Sequence, residues 1–550
     1  MNGSTSVDEA AQHPAARGRR GGLITFPFIL GTMGGVSLGG GWVINLITCL
    51  KDEFHFKKVD AAKIYNYVNG SITMFPIVWA IIADSYVGCF SVIWFSSLIS
   101  LLGTLLLLLL ASMNQLKHYS QIEYPVLYIG LVLASLGNAG TRFTIAPMGA
   151  DQLDNPKHQT VFFNWFIFTM YTANIISSTA TVYVQENISW AWGFGLCILA
   201  NVLGLALFLS GTRFYRLLKP KGSAYKNLAR VVVAAIRKRK TILSLKSEDY
   251  YHSLEAKTPT NFFRFLNRAA LITEGDTRAA LITEGDIRSD HSITNPWKLC
   301  SVQQVEDLKG LIKIFPIWIT GVVLSIPIAI QQSLFIFQAQ TMNCDLGSHL
   351  KVPAASMQVF TLISTTITII IVDRMLFPLW ERLKHKPLTA LQRVGIGHFF
   401  TILSMVVSGI VESKRLKIVK SNTLQNQSSA IVPMSVFWLV PQLSFVGMAE
   451  ALHFAGQVSL YYQEFPESLK STSTAAVAMS IGSAFYLSNP VIEVIRRVSG
   501  WLPDNMNNGR LDNVYWFCST LGAINFACYL GCTLLYKYQN TQKTADDDKN

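Results

Sequence analysis

The chain reads as an all-α membrane protein, twelve transmembrane helices in two six-helix bundles, on three observations. Half of its 550 residues are hydrophobic and only 14% are charged, too little polar surface for a soluble protein of this length. Twelve apolar runs follow one another, each near the ~20 residues that cross a bilayer as a helix. A basic polar segment, 213–306, separates the first six runs from the last six. The formal charge of +13 does not point to nucleic acid. The positive residues sit in connections between apolar runs, where membrane topology accounts for them.

The first 22 residues are polar and end in Arg17, Arg19 and Arg20, a cytosolic N-terminal tail. Leu23 to Leu50 is long, glycine-rich and without a clear cleavage site, so it is a retained span and not a secretory signal. Runs at about 63–83, 90–112, 124–146, 161–183 and 190–212 complete an N-terminal bundle over 23–212. The segment 213–306 is crowded with lysine and arginine, including Arg237-Lys238-Arg239-Lys240, and forms the cytosolic linker. Within it, Arg268–Asp276 and Arg278–Asp286 both read Arg-Ala-Ala-Leu-Ile-Thr-Glu-Gly-Asp. Two copies are too few for a repeat fold, which leaves a slipped duplication in a loop.

Runs at about 308–332, 353–380, 391–411, 434–462, 470–495 and 513–536 make the C-terminal bundle, 307–537, and 538–550 is the C-terminal tail. With the basic segment inside, both termini are cytosolic and the loops after odd-numbered spans lie outside. The basic loop Lys414–Lys420 after span nine is a mild violation. Two sequons, Asn187-Ile-Ser and Asn426-Gln-Ser, fall in outside loops and agree with the topology. The eight cysteines show no CxxC spacing and argue for neither a disulfide frame nor a metal site.

Gly137 to Asp154 holds an arginine, Arg142, inside an apolar run. A charge at that depth costs roughly 2.5–3.5 kcal/mol on insertion scales and is usually retained for a function, facing a partner or a water-filled cavity. The bland reading is a structural salt bridge, or an arginine that snorkels to the interface. Ala83-Asp84-Ser85-Tyr86-Val87-Gly88 lies in the tight turn between spans two and three, where Asp84 and Gly88 suit a cytosolic gate. Asp373-Arg374 occupies the equivalent region after span eight; such a charged pair is commonly only an interfacial anchor.

The two-by-six layout with a long linker resembles the major facilitator superfamily, in which substrate binds near the midplane between halves. Nearly the whole chain is similar to the plant nitrate/peptide transporter family within it. The resemblance is carried by Ala83 to Gly88, Gly137 to Asp154, Phe162-Phe-Asn-Trp-Phe166, Trp190-Ala-Trp-Gly-Phe-Gly195, Phe315-Pro-Ile-Trp318, Val352-Pro-Ala-Ala-Ser-Met357, Leu391-Gln-Arg-Val-Gly-Ile-Gly397, Gly447-Met-Ala-Glu-Ala-Leu452 and Trp501-Leu-Pro-Asp-Asn505. Gly41-Trp-Val-Ile-Asn-Leu46 and Cys300-Ser-Val-Gln-Gln-Val-Glu306 look most like its nitrate excretion subgroup.

Departures from the family pattern are as informative. The resemblance implies a first-span Glu-x-x-Glu-Arg motif tied to proton coupling, but Gly31 to Gly41 has no ionisable residue. A group without a titratable proton cannot carry one, so obligatory proton symport through this site is in doubt. The fourth-span Gly-x-Gly-Gly-x-Lys pattern reads Gly137-Asn-Ala-Gly-Thr-Arg142 here. Arginine stays charged, and its planar fork matches a planar anion such as nitrate. The resemblance implies Glu450 in span ten as its partner in a gating salt bridge that breaks as the halves rock.

The family's span-seven histidine falls on Ile328, and its phosphorylatable threonine falls near Val92, so neither contribution is carried over. Arg142, Trp318 and the Ile328 position are the candidate substrate contacts. Trp42, Trp165, Phe166 and Tyr486 are further aromatics for the cavity, with helix packing as the stronger alternative for each. His398 and His453 are read as satisfied packing residues.

The expected function is transport of a monovalent anion across the plasma membrane, nitrate first and chloride second, by alternating access. Movement is facilitated, favours efflux and is not obligatorily proton-coupled; no cofactor or metal is called for. Proton-coupled symport is the alternative, a peptide carrier ranks below it, and a non-transporting receptor is the reading from another class. An embedded enzyme is disfavoured, since no His/Cys/Asp/Glu cluster has metal spacing and no nucleophile elbow is present. The topology makes a direct prediction: a protease site inserted near Gly275 is cleaved in permeabilised cells and spared in intact ones.

Overall fold

The computed structural model describes residues 21–113, 120–217, 224–244, 246, 249–252, 259–272, 297–347, 350–385, 388–427, 430–465 and 473–536. The expected tails, apart from residues 21 and 22, and the second copy of the duplication lie outside them. The first span comprises α1 (Phe26–Gly39), a 3-10 turn over Gly40–Val43, and α2 (Leu46–Asp52). Then come α3 (Lys58–Met74), α4 (Pro76–Ile82), α5 (Gly88–Met113) and α6 (Ser120–Ala150). The N-terminal half ends with α7 (Pro156–Ile176), α8 (Val182–Asn187) and α9 (Trp190–Ser210).

Among the described residues, nine helical stretches are long and apolar enough to cross a membrane. One of them, Lys58–Met113, has 56 residues. A straight helix of that length would run roughly 84 Å, against a hydrocarbon core of about 30 Å. It is two spans, parted at Gly88, whose φ of 77° belongs to the left-handed region that glycine takes without strain. The α7–α8 pair and α15 below supply two more, which brings the total to twelve.

In the C-terminal half the helices are α11 (Val302–Gln340), α12 (Val359–Ile371), α13 (Phe377–Lys384), α14 (Ala390–Ser421), α15 (Val440–Glu464), α16 (Ser473–Ser499) and α17 (Leu511–Leu535). Ser301 and Thr389 open α11 and α14 with capping boxes closed by Gln304 and Gln392, so each start is written locally. The expected membrane fold of two six-helix groups is the observed one.

Inside each half the helices approach at glycines, as they must where lipid offers no hydrophobic drive and close backbone contact supplies the attraction. A Cβ on Gly35 of α1 would stand 2.6 Å from Gly204 Cα of α9, and one on Gly137 of α6 would stand 2.5 Å from Ser100 Cα of α5. In the other half, one on Gly447 of α15 would meet Thr361 O of α12 at 2.5 Å. The glycine-rich first span is thus a packing surface.

Two expectations need correction. Lys414–Lys420 is not a loop, because α14 continues to Ser421. Arg415 within it is fully buried beside an equally buried Glu412 one turn earlier. Its Nε donates to Glu412 Oε2 at 2.8 Å, Nη2 to Oε1 at 2.7 Å and Nη1 to Asn507 Oδ1 at 2.8 Å. Gln338 Nε2 adds a 2.8 Å bond to Glu412. That arginine belongs to the core and is no exposed topological signal.

The central segment also carries structure. Its amphipathic α10 (Ala224–Arg237) packs Val231, Ala234 and Ala235 with Leu266, Ala269, Ala270 and Leu271 against Cys300, Val302 and Val305. The opening residues of the first duplicated copy therefore sit in a small core. Asn187 and Asn426 of the two sequons are exposed; Ser428 of the second lies outside the described residues.

The buried fork yields a stability prediction. Glu412→Ala strands the Arg415 charge and costs about 3–5 kcal/mol, while the double change Glu412→Met with Arg415→Met costs markedly less, because it removes both charges together. Unfolding of the purified protein in detergent, followed by denaturant titration, measures both.

Candidate functional site

A cavity of about 250 Å³ lies between the halves. Val36, Ser37 and Gly40 of the first span, Tyr65 and Asn69 of α3, Asn138 and Arg142 of α6 and Asn174 of α7 line one side. Gln332, Phe335 and Ile336 of α11, Gln358 before α12 and Glu450 of α15 line the other. The walls are mostly neutral amides and apolar groups with one cation and one carboxylate.

Arg142 is put there by its neighbours on α6. Thr141 Oγ1 is 2.8 Å from Ser96 Oγ of α5, and a Cβ on Gly140 would stand 2.6 Å from Ser96 Cβ. That face is committed to α5, and residue 142, two positions on from Gly140, lies about 200° around the helix from it, on the side of the cavity. Among the described residues the half-buried guanidinium makes one hydrogen bond, Nη2 to Met170 Sδ at 3.8 Å. Among the described residues no carboxylate lies within 4.0 Å of it.

Glu450 faces the same cavity but is held by its own half. Gln332 Nε2 donates to Glu450 Oε1 at 3.0 Å. The expected Arg142–Glu450 ion pair is therefore not formed in this conformation, although both groups border one space. The carboxylate has taken a neutral partner on its own side.

Other sequence-based contacts fall elsewhere. Ile328 is buried, 4% exposed, and does not line the cavity; one turn later Gln332 does. Trp318 donates from Nε1 to Ala476 O at 2.9 Å and stacks on Phe315, so it fastens α11 to α16. Trp42 is buried, Trp165 is exposed on the outer surface and Phe166 belongs to the apolar core of the N-terminal half. Gly88 makes its turn as expected; the side chain of Asp84 lies outside the described residues, while Asp373 and Arg374 are exposed.

His398 and His453 pack as expected, against Tyr529 and Phe454, but they are not satisfied. All four ring nitrogens are buried without a hydrogen-bond partner among the described residues. Sequence reasoning missed the amides at 69, 138, 174, 332 and 358. The available signal was an uncharged polar residue inside an apolar run, which does not reveal its direction: Gln331, beside Gln332, points instead at Ser408.

The cavity is closed at the end that carries residues 52–58. There Lys63 pairs with Glu493, Asn66 Nδ2 donates to buried Asn489 Oδ1 at 3.0 Å, and Lys51 Nζ donates to Gln340 Oε1 at 2.8 Å. Ser71 and Tyr486 hydroxyls lie 2.7 Å apart a little deeper. All these bonds cross from one half to the other.

A family profile described as PTR2, POT family, matches residues 90–506. Protein NRT1/PTR FAMILY 2.6 of Arabidopsis thaliana is 46% identical over 100% of this chain and 99% of its own, and NRT1/PTR FAMILY 2.7 of the same plant is 47% identical over 96% and 95%. The chain belongs to the POT family, in its NRT1/PTR branch.

Solved POT structures share the fold. An auto-inhibited POT family peptide transporter superposes with a TM-score of 0.67 at 15% identity, covering 93% of this chain and 96% of that one. The POT family transporter PepTSo gives 0.66 at 17% identity, covering 94% and 99%. This POT-family chain is accordingly a multi-pass membrane transporter, and its relatives are transporters, not enzymes.

The interface between halves gives the next prediction. Asn66→Cys combined with Asn489→Cys is joined by a short bifunctional thiol reagent, and the join arrests transport; each single variant treated alike keeps its flux. Electrophoretic mobility after cleavage within the central segment reads the join.

Proposed function

We propose that this transporter carries a monovalent anion, nitrate first, by alternating access, without obligatory proton coupling. The observation that carries the reading is Arg142, which borders the cavity with no acid partner among the described residues while Glu450 is bound to Gln332. A permanent cation in a site screened from bulk water attracts an anion strongly, and its fork suits a planar oxyanion. The amides beside it offer further N–H donors without competing charge.

In this reading the closed end is extracellular, the basic segment and both termini are cytosolic, the membrane is the plasma membrane, and the conformation faces inward. Domains of 23–212 and 307–537 rock about the cavity. When the closed end opens, Glu450 exchanges Gln332 for Arg142 after the anion has left, which gives the guanidinium a direct counter-ion in the empty site. Direction follows from charge: an inside-negative potential is worth about 2.3 kcal/mol per elementary charge per 100 mV and drives an uncoupled anion outward.

Proton-coupled transport is the second reading, favoured by one observation: Glu450 is a carboxylate on the cavity wall. Proteoliposomes separate the two. Nitrate flux is expected to follow an imposed potential at zero pH gradient; flux that requires an inward proton gradient, with stoichiometric proton uptake, selects the alternative. A dipeptide that competes with nitrate at equal concentration would count against anion selectivity.

Arg142→Lys keeps a charge and loses the fork, so nitrate affinity is expected to fall about tenfold, the worth of roughly 1.4 kcal/mol, with surface expression retained. Unaltered affinity in that variant returns Arg142 to a structural role. Ile328→Ala leaves affinity unchanged, since that side chain lies off the cavity.

A further inference from the structure

Beside the small core of the central segment stand three half-exposed aromatic side chains. Phe262, Phe263 and Phe265 are 46%, 41% and 48% exposed, and their rings touch one another at centroid distances of 4.7 and 5.9 Å. Phe263 sits at φ 45°, ψ 53°, a left-handed backbone that a bulky residue adopts only when its surroundings impose it. An exposed apolar cluster held in a strained conformation calls for a partner.

The depth of the cluster is set by its attachment to α11. Thr260 O accepts from Lys309 Nζ at 2.8 Å, and Thr260 N and Oγ1 donate to Glu306 at 2.9 and 2.7 Å. Phe315, 53% exposed, lies six residues beyond Lys309 on the same helix, about 9 Å along its axis. From the apolar start of that span, this places Thr260 at the level of the lipid headgroups, a layer roughly 5–7 Å deep on each side, and the phenylalanines follow two to five residues later.

Among the described residues, exposed basic side chains stand near the cluster. Arg264 is exposed between the phenylalanines, and Arg239 and Lys240 are exposed where Arg268 Nε ties their strand in through Thr241 O at 3.0 Å. Ile242 beside them is 89% exposed. The neighbouring acids are engaged: Glu306 with Lys309 and Thr260, Asp249 with Ser244. Aromatic rings next to arginine and lysine at headgroup depth are what an anionic leaflet accommodates.

We propose that Phe262, Phe263 and Phe265 insert into the membrane interface and that Arg264, Arg239 and Lys240 meet the phosphates of anionic lipid, seating the central segment on the leaflet where α11 begins. The site is independent of the solute carried and rests on the cytosolic placement of the central segment.

Hydrogen exchange of the full chain tests it in nanodiscs of phosphatidylcholine, in nanodiscs that also contain phosphatidylserine, and in detergent. Amides 260–266 are expected to exchange most slowly with phosphatidylserine present. Phe262→Ser with Phe263→Ser and Phe265→Ser abolishes the protection in both discs. Arg264→Glu with Arg239→Glu and Lys240→Glu abolishes only the phosphatidylserine increment. Unchanged exchange in 302–315 reports that both variants fold. Equal exchange in discs and detergent, or protection that survives the triple serine change, overturns the proposal.

Discussion

A guanidinium cannot shed its proton inside a membrane, so every arrangement around Arg142 must answer a charge that is always present. Burial of an unpaired ion is costly enough that a protein ordinarily supplies a counter-ion or water. Here the nearest wall offers thioether and amides, and the carboxylate of the opposite wall is engaged elsewhere. The guanidinium is therefore left electrostatically incomplete among the described residues, and in the proposed reading an anion from solution completes it. That incompleteness, more than any single contact, makes the proposed reading economical.

Contacts within a half and the polar contacts that close one end between halves are built from different chemistry. Within a half, backbones meet at glycines, where a single added methyl collides with main chain; such surfaces have one good fit. Between halves at the closed end, ion pairs and side-chain hydrogen bonds, several of them partly solvated, accompany a shared apolar cluster. Exposed ion pairs are individually weak, commonly under about 1 kcal/mol. The molecule thus has rigid parts held by shape and a seam whose polar bonds are exchangeable, as two bodies that must part and rejoin require.

Much of the fold was legible because the bilayer demands it: the length of an apolar run, the capping serine and threonine, and the basic segment are all local signals. What escaped was directional. Sequence shows that Gln331 and Gln332 are polar in an apolar helix, but 100° of rotation decides which one reaches the cavity, and only packing sets that rotation. Counting from Phe315-Pro-Ile-Trp318 reached Ile328, one turn short of the wall. Lys414–Lys420 looked like a loop because its charge ended the hydropathy pattern; the fork between Arg415 and Glu412 neutralises that charge where composition cannot see it. Arg142 was legible since a lone charge in lipid is conspicuous whatever its direction.

The crossing of α3 and α16 has a mechanical consequence. A Cβ on Gly482 would stand 3.0 Å from Gly70 O, so the two backbones nearly touch there. Lys63 lies seven residues from that point and Ile82 twelve on the other side, arms of about 10 and 18 Å at 1.5 Å per residue. If the crossing is the fulcrum, a tilt of roughly 20° moves the short arm only about 3.5 Å, enough to exceed hydrogen-bond range. The long arm travels nearly twice as far. A lever with unequal arms of this kind lets a short movement release the polar bonds at one end while the other end swings wide enough to admit or release a solute.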